Sequence, residues 1–154
     1  MLRHDARLLR RHRRGEDASV PADAPPFEQL DYLYIPSEDV AADSRYFADV
    51  LGGTILFAIE DGDTRAAMVE LTPGPPRLIF TSHLEGDRPI MIFRVPKVRD
   101  TLKTLAANGW EKEGTFEIPQ GPCCSFVAPT GQRVALYQLT RPEVESQFVG
   151  RFDF

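Results

Sequence analysis

The sequence predicts an α+β chain in which one β-α-β-β-β unit is used twice, and three observations predict it. The stretch Arg94 to Trp110, RVPKVRDTLKTLAANGW, reads as a strand end, a short turn and an amphipathic helix stopped at Asn108-Gly109. A cruder copy, Tyr34 to Gly53, reading YIPSEDVAADSRYFADVLGG, lies about 58 residues earlier. Both copies are followed by strand-like runs punctuated by turn residues.

The 154 residues suffice for one domain with a real core. Apolar residues make up 42% and charged residues 27%, which is ordinary for a globular protein, and no apolar run reaches membrane-span length. Net charge is −5, unevenly spread: residues 1–16 carry +4, with six arginines, and the rest carries −9. An acidic body repels nucleic acid and suits a cationic ligand. The only two cysteines, Cys123 and Cys124, are adjacent. Neighbouring cysteines rarely bridge, so a reducing, cytoplasmic setting is expected.

Residues 1–26 are expected to be a basic arm and a Pro-rich acidic linker outside the fold. A solvated tail is the leading reading of the arm; a presequence or an arm for an acidic partner are the others. The domain is expected over 27–140, its modules over about 29–84 and 89–139. Gln29 to Ile35 alternates as a strand, with Leu30, Tyr32 and Tyr34 on one face. Ser37 or Asp39 caps a helix whose stripe is Val40, Phe47 and Leu51 with Val50 beside it, ended by Gly52-Gly53. Strands follow at Thr54 to Glu60 and Thr64 to Leu71, around an Asp61-Gly62 turn, and at Arg77 to Ser82.

In the second unit, Pro89 to Val95 is a strand and Val98, Leu102 and Leu105 line the helix. Three strands follow: Trp110 to Ile118, Cys123 to Ala128 and Arg133 to Leu139. The 141–154 tail carries Phe148, Phe152 and Phe154, expected to pack on the body or on a second subunit.

Three patterns in this order resemble the vicinal oxygen chelate superfamily, which holds glyoxalase I, extradiol dioxygenases, and bleomycin and fosfomycin resistance proteins. They are Pro36-Ser37-x-Asp39-Val40 running into Arg45 to Gly53, then Phe93-Arg94-Val95 through Asn108-Gly109, and Ala128 to Leu136, APTGQRVAL. The first resembles the family's Phe-Tyr-x-x-x-Leu-Gly and the last its Asp-Pro-Asp-Gly-x-x-x-Glu-Leu. The resemblance covers about residues 29 to 139. It implies two modules whose sheets curl into a cup with the helices outside, and a homodimer.

In that family a divalent metal often sits in the cup, held by one residue from the first and one from the last strand of each module. Transferred by motif, the four positions are Tyr32, Ile79, Ile90 and Ala135. Two branched alkyl groups, a methyl and a phenol do not hold a divalent cation, so no metal or other cofactor is expected. His83 and Glu85 have ligand-like H-x-E spacing, but His83 is the only histidine outside the arm and reads as an exposed loop residue. Cys124 has no histidine in sequence reach and reads as a buried thiol.

Alternation places Tyr32, Tyr34, Ile90, Ile92, Arg94, Arg133, Ala135 and Tyr137 on the cup face. The tyrosines offer stacking and Arg94 offers a charge, unless Arg94 pairs with Glu70 or Glu117. The expected function is metal-free binding of a partly apolar organic molecule, similar to the sequestering members of the superfamily. The alternatives are a metal-dependent lyase or dioxygenase, a metal-free isomerase using Tyr32 or Tyr137 as acid, and an interaction module acting through the arginine-rich arm.

Overall fold

In the computed structural model, residues 25–111 and 114–154 are described, so the arm and nearly all of the linker lie outside them. The elements are β1 (Gln29–Pro36), α1 (Val40–Arg45), β2 (Thr54–Asp61), β3 (Thr64–Glu70), β4 (Arg77–Thr81), β5 (Ile90–Arg94), α2 (Val98–Ala107), β6 (Thr115–Ile118), β7 (Gly121–Val127), β8 (Arg133–Tyr137) and α3 (Val144–Phe148). No described helix is long and apolar enough to cross a membrane.

The eight strands form one curled mixed sheet in the order β2-β3-β4-β1-β5-β8-β7-β6. Within each module the first and last strands are parallel, β1 with β4 and β5 with β8, and the others are antiparallel. The modules meet where β1 and β5 run antiparallel, pairing Tyr32 with Ile92 and Tyr34 with Ile90. The two halves thus fold alike: Tyr32 opposite Arg77 and Tyr34 opposite Ile79 match Ile90 opposite Arg133 and Ile92 opposite Ala135.

Strand alternation divides the core. Tyr32, Phe57, Met68, Cys123 and Ala135 face the hollow, and Tyr137 completes their cluster. Val69, Leu78 and Phe80 pack under α1, while Val95 and Leu136 pack under α2 with Val98, Leu102 and Leu105. Asp39 caps α1, its Oδ1 accepting from the Ala42 N–H at 3.0 Å.

The first helix departs from the expected stripe. After Arg45 it widens into a π-helical turn over Tyr46–Val50, and the Leu51 N–H reaches back to the Tyr46 carbonyl. The wider turn rotates the last residues of the helix about its axis. Ser44 fills a buried position, its hydroxyl donating to the Val40 carbonyl at 2.7 Å, and Phe47 packs on Phe80. Val50 and Leu51, expected inside, are 64% and 46% exposed. β6 also starts later than expected, at Thr115, and Trp110 packs edge-on against Phe126 instead.

The C-terminal segment belongs to the body. Phe148 packs on Phe57, Gly150 turns the chain at φ 87°, and Arg151 and Asp153 bond the two sides of the Ala58 peptide. This covers the β2 edge, which would otherwise present unpaired peptide groups. Phe154 packs in the α1 core and lies under the Arg65 guanidinium at 4.6 Å, whereas Phe152 stays exposed.

Candidate functional site

The hollow of the sheet is a cavity of about 410 Å³, the size of a small-molecule site. Tyr32, Tyr34, Ile79, Ile90, Ile92 and Ala135 form its central wall, with Phe57, Met68, Phe116 and Phe148 around it. Five of the seven residues expected to bind ligand are therefore together: Tyr32, Tyr34, Ile90, Ile92 and Ala135.

Arg94 and Tyr137 are not among them. They line a second cavity of about 190 Å³, to which Tyr32 also contributes. It lies where β1 and β4 begin and β5 and β8 end. The Tyr137 hydroxyl, deeply buried, donates to Oδ2 of Asp31, while the Gln29 amide donates to Oδ1. Arg94 Nε sits 3.2 Å from Glu28 and 3.6 Å from Asp31, and these, not Glu70 or Glu117, are its carboxylate neighbours. Its buried Nε–H still finds no acceptor in hydrogen-bonding geometry. Glu117 pairs with Arg141 instead, and Glu70 with Arg77. Arg77 also holds Glu145 of α3, which fastens that helix against the hollow. The bulge between Leu30 and Tyr32 in β1 puts Asp31 at this position; simple alternation does not anticipate it.

The opposite end carries a different group. Tyr34 Oη lies 2.8 Å from His83 Nε2, and His83 Nδ1 lies 2.7 Å from the hydroxyl of the buried Thr81. Thr81 Oγ1 also accepts the His83 backbone N–H at 3.4 Å. The His83 ring thus bridges the Tyr34 and Thr81 hydroxyls, one ring nitrogen to each, at the edge of the cavity. His83 is exposed in its loop, as expected; what sequence reasoning missed is its two partners, for which a histidine two residues beyond a strand-end threonine was the only signal.

The interior phenols are poor acids. Burial, with help from the Glu145 and Asp31 charges, pushes the Tyr32 pKa up to about 12. Burial and the hydrogen bond to Asp31 push Tyr137 higher still. Burial likewise raises Tyr34, opposed by the Thr81 hydroxyl. A proton donor works best with a pKa near the operating pH, so the expected isomerase acids, Tyr32 and Tyr137, do not suit that task. Cys123 is pushed up to about 12 by burial, which keeps it a thiol rather than a nucleophile.

The residues present do not fit a divalent metal. Tyr32, Ile79, Ile90 and Ala135 all lie on the wall of the cup and offer alkyl groups and a protonated phenol. Among the described residues, no group of three His, Cys, Asp or Glu converges anywhere.

No family model and no curated protein matches the sequence. Solved structures do. Methylmalonyl-CoA epimerase from Mycobacterium tuberculosis aligns with a TM-score of 0.62 at 15% identity, over 79% of this chain and 93% of that one. Streptomyces coelicolor methylmalonyl-CoA epimerase in complex with 2-nitronate-propionyl-CoA aligns with a TM-score of 0.58 at 14% identity, over 75% and 99%. A hypothetical protein from Bacillus halodurans aligns at 0.60 and 10%, over 73% and 95%. The fold is the vicinal oxygen chelate fold. The cup wall of Tyr32, Tyr34, Ile90 and Ile92 is where its two modules meet across β1 and β5. Here the positions that the sequence resemblance assigns to metal ligands are filled by a protonated phenol, two branched alkyl groups and a methyl.

Proposed function

We propose that this protein binds a partly apolar organic molecule in the cup, without a metal. The carrying observation is the cavity of about 410 Å³, whose wall holds Tyr32, Ile79, Ile90 and Ala135 where a chelating member of the fold would need donors. An alkyl-lined hollow gains from excluding water around apolar surface, at about 25 cal/mol per Å² buried, and cannot replace the water shell of a cation. The Tyr34–His83 pair offers the ligand a polar contact at one edge of the cavity. Arg94 supplies no anion contact, because it is engaged with Glu28 and Asp31 outside the large cavity. The complex of an epimerase of the same fold with 2-nitronate-propionyl-CoA is a precedent for an organic ligand in such a protein.

A thermal-shift screen of small organic acids and antibiotics, with and without divalent metal, tests the reading. Ligands of the native state raise the melting midpoint, and the rise is expected to be independent of metal. A full equivalent of metal retained in the cup after chelator-free purification would overturn it. A homodimer and a cytoplasmic location belong to the same proposal; sedimentation and localisation of a tagged chain test them.

A further inference from the structure

We propose that Arg88 and Arg133 form an anion-recognition subsite beyond the mouth of the cup, and that the ligand is an amphiphile with an apolar body and an oxyanion head. The inference rests on the reading of the large cavity as the ligand site and deepens it. Arg77 and Arg133 are equivalent, each opening the last strand of its module. Arg77 is neutralised by Glu70 and Glu145. Arg133 has no carboxylate within ion-pair distance among the described residues, and neither has Arg88.

Both guanidinium groups are nevertheless held in place. Arg133 Nη1 donates to the Glu85 and Arg88 carbonyls at 2.7 and 3.1 Å, and Arg88 Nη1 donates to the Thr130 carbonyl at 2.7 Å. Gly131, at φ 97°, makes room for Arg88: a Cβ there would fall 2.3 Å from its Nη1. Main-chain carbonyls orient a guanidinium without cancelling its charge, so the other N–H groups remain for an acceptor. The two arginines line an open groove of about 480 Å³. Glu85 and Asp87 also line it, and set a cost that a single oxyanion must exceed.

The groove adjoins the cup. His83 and Leu84 line the cavity, the next residues, Glu85 to Arg88, line the groove, and Ile90 in the cavity wall pairs with Arg133 across β5 and β8. A molecule with its apolar part against Ile90 therefore has its exposed end directed at Arg133. Carboxylate and phosphate share the required chemistry.

The test compares octanol, octanoate and octyl phosphate binding to the full chain by calorimetry at low salt, with an inorganic phosphate titration followed through the Nε–H signals of Arg88 and Arg133. The anions are expected to bind about tenfold or more tighter than octanol, that ratio falling toward one in Arg133→Gln. Phosphate alone is expected to shift both arginine signals. The stronger of octanoate and octyl phosphate identifies the head group. If octanol and the anions bind alike and phosphate moves neither signal, the subsite is wrong while the cavity reading stands. If no amphiphile binds yet phosphate shifts both signals, the cavity reading fails and the anion site survives alone. If neither is seen, both are overturned.

Discussion

Arg77 and Arg133 sit opposite Tyr32 and Ile90 in matching places of the two modules, and they mark two ends of the cup that have been finished differently. At the Arg77 end, charges and polar groups answer one another: Arg77 with Glu70 and Glu145, Tyr137 and Gln29 with Asp31, and Arg94 beside Glu28 and Asp31. At the Arg133 end, Tyr34 meets the His83 ring, and two arginines lean on carbonyls alone. A duplicated scaffold gives two equivalent openings. At one, the protein's own side chains and its C-terminal helix leave a cavity of only about 190 Å³; the other is the end proposed to take the ligand. Substitutions at the closed end should cost stability, and those at the open end should cost recognition.

The largest effect is expected from alkali. Tyr32 holds its proton up to about pH 12 in the folded chain, against 10 for a free phenol. Its stabilising contribution is whole below about pH 10 and is lost as pH rises toward 12, by about 2–3 kcal/mol. Urea unfolding across that range should show the loss, and Tyr32→Phe should lessen it by that amount while Tyr137, Tyr34 and Cys123, raised likewise, keep the remainder; a flat wild-type profile would contradict the burial of these groups.

Next comes Tyr137→Phe, which removes a donor to the buried Asp31 carboxylate and should cost about 1–3 kcal/mol in the same experiment. Arg77→Met strands Glu145 and Glu70. Because these groups are partly exposed, about 1–2 kcal/mol is expected, with faster hydrogen exchange over residues 144–154 as α3 loosens. Unchanged exchange there would mean that Phe148 and the backbone bonds to β2 hold the segment without Arg77.

At the open end, Thr81→Val keeps shape and removes the hydroxyl that orients His83, for less than about 1 kcal/mol of stability. The His83 ring resonances should nonetheless shift, and ligand affinity with them. Of similar size, Arg133→Gln, which gives up two exposed bonds to carbonyls that water can replace, should change unfolding by less than about 1 kcal/mol. A loss as large as that of Arg77→Met would erase the contrast between the ends.

Much of the fold was legible because it is written in local chemistry. The Asn108-Gly109 stop, the Asp61-Gly62 turn and the alternation of Ile90 to Arg94 each state a backbone preference within a few residues, and the repeat shows them twice. The cup wall followed from the same period of two. The first helix was misread over its last turn, because a π-helical turn is set by the packing around Phe47 and Ser44, and no local preference encodes it. The split of Arg94 and Tyr137 from the other site residues was also illegible: it comes from a bulge that brings Asp31 to them from 63 and 106 positions away in the chain.

The sequence alone determined the doubled module, the placing of Tyr32, Tyr34, Ile90, Ile92 and Ala135 on one wall, and the identity of the four positions that would have to chelate as a phenol and three alkyl groups, since each depends only on residue type and a short-range period. Which arginine is neutralised and which keeps its charge, and that His83 meets Tyr34, were decided by the tertiary structure. Ion pairs and hydrogen bonds act over a few ångströms, and only the folded sheet brings residues that far apart in the chain to such distances.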